Sequence, residues 1–291
     1  PFDLDHIDRV AILTEGGRGI GYGHITRSVA VVQYLKEFGL SVDMFVRGDG
    51  IKGVFFEGEK YIEQDWLINL EEIGVSDNTA VFVDSYFADI KLYNKIYSTT
   101  KKLIIFDDYC RLKYDVGYVL NPVVEKDFYS GYDKVLYGED FIFLRKGFWN
   151  VKNRVKNGDI RHILITLGGN PQKDLIRSIV EKIEGNFNTL DIKILSDPVE
   201  GINGDFTGFV DSKGMADLLF RADMAISAGG QTLHELFYMK VPTIMIKLAE
   251  NQEYNIRFYE KRGFVRGNVD NVASYIAKKR SDSLPQGKNF F

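Results

Sequence analysis

The sequence predicts an α/β protein made of two doubly wound domains facing each other across a cleft. Three observations carry that expectation. Short apolar runs alternate with helical stretches along the whole chain, and glycine-rich turns follow several of those runs directly. One segment, Phe148 to Asp159, is rich in Lys, Asn and Gly and lacks strong periodicity. Strands separated by helices imply parallel sheets with right-handed crossovers. The expected organisation is a first domain over 1–147, a linker over 148–159 and a second domain over 160–291.

The first half offers strands at Val10 to Leu13, Ser41 to Val46, Ala80 to Val83, Lys102 to Phe106 and Val116 to Leu120. Each is a short run of mostly apolar residues, as expected of strands buried on both faces. Ser28 to Lys36 has the apolar spacing of a helix packed on a sheet. In the second half the strands fall at His162 to Thr166, Asp191 to Leu195, Met224 to Ser227 and Thr243 to Ile246. Helical patterns cover Asp174 to Ile183, Lys213 to Arg221, Thr232 to Met239 and Glu253 to Arg262. Ligands of such sheets bind at the carboxyl ends of the strands, where the glycine turns lie.

Bulk properties narrow the function classes. The chain has 291 residues, 45% hydrophobic and 27% charged, which is the profile of a folded globular protein. A formal net charge of −4 gives no electrostatic reason to expect a nucleic-acid partner. The single cysteine, Cys110, excludes an internal disulfide and suits a reducing compartment. It reads as a buried small side chain. No apolar run approaches the ~18 residues of a membrane span, and the first residues lack a signal-peptide pattern. Stable membrane insertion is therefore not expected, a cytoplasmic enzyme or binding protein is, and the oligomeric state is left open.

Chemistry concentrates first in Gly19-Ile20-Gly21-Tyr22-Gly23-His24-Ile25-Thr26-Arg27. Glycines between a strand and a helix let backbone approach a ligand, and a helix N-terminus favours negative charge there. A histidine in that first turn has its cation disfavoured by the helix dipole, which suits a neutral base. A second signal is Ser227-Ala228-Gly229-Gly230-Gln231-Thr232-Leu233-His234-Glu235, where a strand runs through two glycines into a helix. Amides of Gly229 to Thr232 can point at a diphosphate, and Glu235 can accept from ribose hydroxyls. An ordinary turn with Glu235 as a helix stabiliser fits equally well.

Weaker candidates follow. Glu250-Asn251-Gln252 ends a strand segment and can reach a diphosphate or sugar, or simply cap the next helix. Gly168-Gly169-Asn170 repeats the glycine-turn pattern. Asp84-Ser85-Tyr86 and Asp107-Asp108-Tyr109 place carboxylates at strand ends, where they bind hydroxyls, orient a histidine or cap a helix. Adjacent Asp107 and Asp108 are poor metal ligands, so no metal is expected. His6 reads as exposed, His162 as structural, and His234 as packed or solvent-exposed and not catalytic.

Taken together these motifs resemble the UDP-sugar hydrolases of pseudaminic acid biosynthesis and, more broadly, the nucleotide-sugar enzymes of the GT-B fold. The resemblance spans most of the chain, including Tyr137 to Arg145. It implies a UDP-sugar substrate, no cofactor, and His24 as the catalytic base. It also implies that Gly229, Gly230, Thr232 and Glu235 hold the nucleotide. Substrate contacts are expected from Gly21, Gly23, Arg27, Asp84, Tyr86, Asp108, Gly168, Gly169, Ser227, Gln231, Glu250, Asn251 and Gln252. The chain departs from the family in Glu15-Gly16-Gly17-Arg18, where small polar residues are more usual, and in its tail from Leu284 to Phe291.

The expected reaction is inverting hydrolysis at the anomeric carbon of a nucleoside diphosphate sugar. The alternative is glycosyl transfer by the same residues, with an acceptor hydroxyl replacing water. A docking face for a membrane-bound acceptor would fall in Ile51 to Leu70, which carries Phe55, Phe56, Trp66 and Leu67 but is acidic. A third reading, from another class, is a non-catalytic nucleotide-sugar binding protein.

Overall fold

The computed structural model describes residues 7–283 apart from 52, 125, 130, 152–158, 170–171 and 203. The chain divides into two compact units, Pro1–Lys146 and Gly147–Phe291. Most of the expected linker, 152–158, lies outside the described residues, as do His6, Asn170 and the tail from 284.

The first unit is a seven-stranded parallel sheet. Its strands are β1 (Arg9–Glu15), β2 (Val42–Arg47), β3 (Ile62–Glu63), β4 (Thr79–Asp84), β5 (Leu103–Phe106), β6 (Tyr118–Asn121) and β7 (Val135–Tyr137), in the order β3-β2-β1-β4-β5-β6-β7. All six residues of β4 are buried, as are six of the seven in β1, because a parallel sheet is covered on both faces. Helices α1 (Gly23–Glu37) and α2 (Ile90–Thr99) accompany the sheet, with short 3-10 turns such as Gly53–Phe56 and Leu70–Ile73. The Asp89 carboxylate accepts from the Leu92 amide and so starts α2.

In the second unit, β8 (His162–Thr166), β9 (Asp191–Leu195), β10 (Asp205–Thr207), β11 (Met224–Ala228), β12 (Thr243–Ile246) and β13 (Val265–Gly267) form a six-stranded parallel sheet ordered β10-β9-β8-β11-β12-β13. Five helices accompany it: α3 (Lys173–Glu184), α4 (Ser212–Arg221), α5 (Thr232–Tyr238), α6 (Glu253–Glu260) and α7 (Val272–Ser283). Helix α3 shows why such segments fold as they do. Ile176, Ile179, Val180 and Ile183 recur at helical spacing and pack on Ile163, Ile165 and Ile226 of the sheet.

Both sheets reverse strand order once, between β1 and β4 and between β8 and β11. Strand connections diverge at such points and leave a crevice at the carboxyl ends. The turns after β1, β4, β8 and β11 hold most of the candidate residues, so the topology accounts for their grouping within each unit.

Two features differ from expectation. Strands β3, β7, β10 and β13 were not anticipated, since two or three residues carry no readable period. Phe55, Phe56 and Trp66 are buried, and the Trp66 indole donates to the Thr14 carbonyl at 2.8 Å. Those three aromatics are core residues, Phe55 stacked on Tyr22 beside α1 and Trp66 against β1, and not surface ones.

The turn after β1 is fixed by close backbone contact. Gly17 and Gly21 exchange two amide bonds, at 2.8 and 2.9 Å. Gly48 has φ +141, and a Cβ on it would lie 1.8 Å from the Gly16 carbonyl oxygen. Gly48→Ala is therefore expected to cost ~1–3 kcal/mol from overpacking, with a backbone penalty added at this φ. Urea unfolding checks it; an unchanged midpoint would refute the close contact.

Candidate functional site

Helix α1 begins at Gly23, before the apolar run that announced it, and so takes His24 and Arg27 into its first two turns. Both side chains are buried, with the residues 3% and 6% exposed. They point to the carboxyl ends of β4 and β5. His24 Nδ1 lies 2.6 Å from Asp84 Oδ1. Arg27 makes a bidentate pair with Asp84, Nε to Oδ2 at 2.8 Å and Nη2 to Oδ1 at 2.7 Å. Its Nη1 reaches Asp108 Oδ2 at 3.2 Å, and its guanidinium lies 3.6 Å from the centre of the Phe106 ring.

Asp84 and Arg27 hold each other charged. Burial acts to raise the Asp84 carboxyl, but the charges and hydrogen bonds of Arg27 and His24 outweigh it and hold the group down at about 2. Burial likewise opposes the Arg27 charge, and Asp84 and Asp108 more than compensate, raising it. An ionised Asp84 can only accept, so the short contact places a proton on Nδ1 of His24. In the neutral ring the lone pair then falls on Nε2. That nitrogen is buried and has no hydrogen-bond partner. A carboxylate-oriented imidazole with one open nitrogen is the arrangement a general base requires.

Tyr86 completes this group. Its ring stands nearly perpendicular to His24 with centres 4.2 Å apart, and its hydroxyl donates to Asp108 Oδ2 at 3.2 Å. Gly21 has φ +88 and Gly23 opens α1, and a Cβ on either would meet nothing within 4 Å. Asp107 points away from its neighbour: it accepts from the Arg111 amide and the Tyr129 hydroxyl, and burial raises its carboxyl. The pair thus diverges, as side chains of adjacent residues do.

Glu15 escaped the sequence analysis as a site residue. It is fully buried at the end of β1, opposite Arg47 in the β1–β2 register. Its carboxylate accepts from the Tyr86 amide at 2.6 Å, the Ser85 hydroxyl at 2.8 Å and Arg47 Nη1 at 3.2 Å. An acid at the last position of a buried strand, facing a basic residue on a neighbouring strand, was the available signal. Arg18, by contrast, is exposed.

The second unit's candidates divide. Gly168, with φ +90, and Gly169 form the turn after β8. Gly230, Gln231 and Thr232 lie between β11 and α5 or at its start, and Gln231 Oε1 is buried without a partner. Glu235 is buried within α5. Four of the candidates already have partners within the unit. Ser227 is fully buried and its hydroxyl bonds the Ala228 carbonyl, because a parallel strand has no solvent face to offer it. The Gly229 amide donates to Gln252 Oε1 at 3.2 Å, and the same oxygen takes the Leu248 amide at 2.9 Å. Gln252 therefore braces two loops, and Gly229 supplies room: a Cβ there would lie 2.7 Å from that of Gln252. Glu250 pairs with Lys247 with its side chain 93% exposed, while Asn251 is half-buried in the same turn.

Of the remaining singled-out residues, His162 is exposed and pairs with Asp191, whereas His234 is buried with Nδ1 on the Tyr259 hydroxyl. Cys110 is half-buried, not fully buried, with φ +59, and burial pushes its thiol up to about 12. That excludes it as a ready nucleophile. Among the described residues no helix is long and apolar enough to cross a membrane.

No family model matches the chain. It is 24% identical over 277 residues to the uncharacterized protein MJ1062 of Methanocaldococcus jannaschii, a match covering 84% of this chain and 56% of that one. It is 23% identical over 255 residues to the pseudaminic acid cytidylyltransferase and UDP-2,4-diacetamido-2,4,6-trideoxy-beta-L-altropyranose hydrolase of Helicobacter pylori, covering 84% and 46%. A third relative is the spore coat polysaccharide biosynthesis protein SpsG of Bacillus subtilis, 22% identical, with coverage of 87% and 81%. The chain spans about half the length of the first two of these relatives. Among solved structures it resembles MurG of Acinetobacter baumannii, with TM-score 0.62, 12% identity and 94% and 91% coverage. It also resembles the glycotransferase of kitacinnamycin, with TM-score 0.60, 14% identity and 95% and 91% coverage. Two parallel, doubly wound sheets and these likenesses establish the chain's fold as the two-domain α/β fold of the GT-B glycosyltransferases.

Proposed function

We propose that the chain hydrolyses a nucleoside diphosphate sugar, a UDP-diacetamido-trideoxyhexose in the first instance, with inversion at the anomeric carbon. The observation that carries this reading is the His24–Asp84 pair, which leaves Nε2 as a buried base without a protein partner. Water gives a proton to Nε2 as its oxygen bonds the anomeric carbon, and the bond from that carbon to the diphosphate breaks with its electron pair leaving on phosphate oxygen. General-base assistance of this kind is worth about 10²–10⁴-fold. Diphosphate is a good leaving group at neutral pH, so a single base suffices. The amides of Gly230 to Thr232 are the donors assigned to the leaving charge, and Glu235 to the ribose. The Helicobacter pylori relative, whose name includes such a hydrolase, and SpsG, named for polysaccharide biosynthesis, support a place in the biosynthesis of a surface sugar.

Glycosyl transfer is the competing reading, favoured by the likeness in fold to glycosyltransferases. The purified chain, incubated with a panel of UDP-sugars and no acceptor, should release UDP together with the inverted anomer, followed by NMR. Binding without turnover, relieved by an added acceptor, would replace hydrolysis with transfer. Neither binding nor release across the panel would remove both.

A further inference from the structure

The turn carrying Tyr86 is braced far more heavily than an ordinary loop after a strand. Both oxygens of buried Glu15 are engaged: Oε1 takes the Tyr86 amide, and Oε2 takes the Ser85 hydroxyl and Arg47. The Ser85 hydroxyl oxygen in turn accepts from the Phe87 and Ala88 amides, each at 3.0 Å. Together these bonds set the backbone from which the Tyr86 ring projects across His24. Its hydroxyl is tied to Asp108 and its ring packs edge-on to Tyr109, with centres 5.3 Å apart.

His24 meets Asp84 and Arg27 on its Nδ1 side and Tyr86 across its ring. Asp84 and Arg27 are locked by their mutual bidentate pair. Tyr86, on a turn, is half-buried where Asp84 and Arg27 are buried, and is the neighbour nearest solvent. A buried nitrogen with no partner meets water only when something beside it moves aside.

We propose that Glu15 is a positioning residue: by clamping the Ser85–Tyr86 turn it holds the Tyr86 ring across His24 and so governs the access of water to Nε2. The proposal rests on the reading of His24 as the base, and adds to it a device that admits water only when Tyr86 is displaced, as an entering substrate would displace it. Glutamate is needed for its length as much as its charge. Aspartate keeps the charge facing Arg47 but retracts from the Tyr86 amide, whereas glutamine keeps an acceptor within reach of that amide and loses the charge.

Diethyl pyrocarbonate, which acylates imidazole nitrogens that solvent reaches, tests this on the whole chain without any nucleotide sugar. Failure of the hydrolase reading therefore leaves the result intact. Modification is read peptide by peptide by mass spectrometry. His162, with a side chain 53% exposed, serves as the fast reference, and buried His234 as the slow one. Wild-type His24 should react as slowly as His234. Tyr86→Ala and Glu15→Asp should accelerate His24 about tenfold, as loss of a local shield raises the open population. Glu15→Gln should stay close to wild type. A slow His24 in Tyr86→Ala would overturn the shielding, and equal rates in Glu15→Asp and Glu15→Gln would overturn the role of Glu15. Acceleration of His24 and His234 together would mark a loosened fold and count against the proposal.

Discussion

Replacing Asp84 by asparagine is expected to be the most damaging single change in the first unit. Asparagine keeps the shape but removes the charge that faces both Arg27 and His24, leaving the buried guanidinium with Asp108 alone at 3.2 Å. Breaking a buried pair on one side costs about 3–5 kcal/mol, because the surviving charge stays desolvated. The loss should depend on pH. Burial raises the Asp84 carboxyl, and Arg27 and His24 reverse this to hold it at about 2, below its ordinary 3.8. The unfolded chain therefore binds the proton first as pH falls. Stability from this group is fully present above about pH 4 and disappears as pH drops toward 2, a contribution on the order of 2 kcal/mol. Urea unfolding of both proteins at pH 7, 4 and lower should show the difference between them shrinking across that window. A difference that stays constant with pH would mean Asp84 is not the titrating group.

His24→Ala should abolish nucleotide release more completely than it disturbs the fold. The rate should drop by about 10²–10⁴-fold, the contribution of a positioned base. Stability should fall by only about 1.5–3 kcal/mol, the worth of a hydrogen bond to a charged group, since Asp84 retains its bidentate partner. The effect belongs in kcat, because Nε2 acts on water and not in holding the substrate. Comparing kcat and KM for UDP release, with urea unfolding as the control, separates these effects. A variant that binds and turns over like wild type would remove His24 as the base and with it the hydrolytic mechanism.

Both sheets were legible because their longer strands are continuous apolar runs, and β8, β9 and β12 have the residues anticipated for them. The union of His24, Arg27, Asp84 and Asp108 was legible in part. Each stood out at a strand end or a helix start, but nothing in sequence spacing says that Asp84 would be bidentate to Arg27 and not merely a cap. What stayed hidden has a common physical origin in contacts between residues far apart in the chain. Glu15 meets Tyr86 only because β1 and β4 pair, and Gly48 is glycine only because the Gly16 carbonyl arrives beside it. Ser227 is buried in a strand covered on both sides, where spacing does not announce which face a residue takes. The Gln252 side chain also meets the amides of Gly229 and Leu248, the first of them 23 residues away in the chain.

The two units share a strand-order reversal but furnish it differently. The first fills it with buried charge, in Asp84, Arg27 and Asp108, while the turn at 227–232 in the second offers neutral backbone and glycine. Tolerance to substitution should divide along the same line. In the first unit, exchanges that preserve shape and alter charge are the harmful ones. In the turn of the second, added volume is the harmful change, since a single added methyl at Gly229 already collides with Gln252 and Ile256.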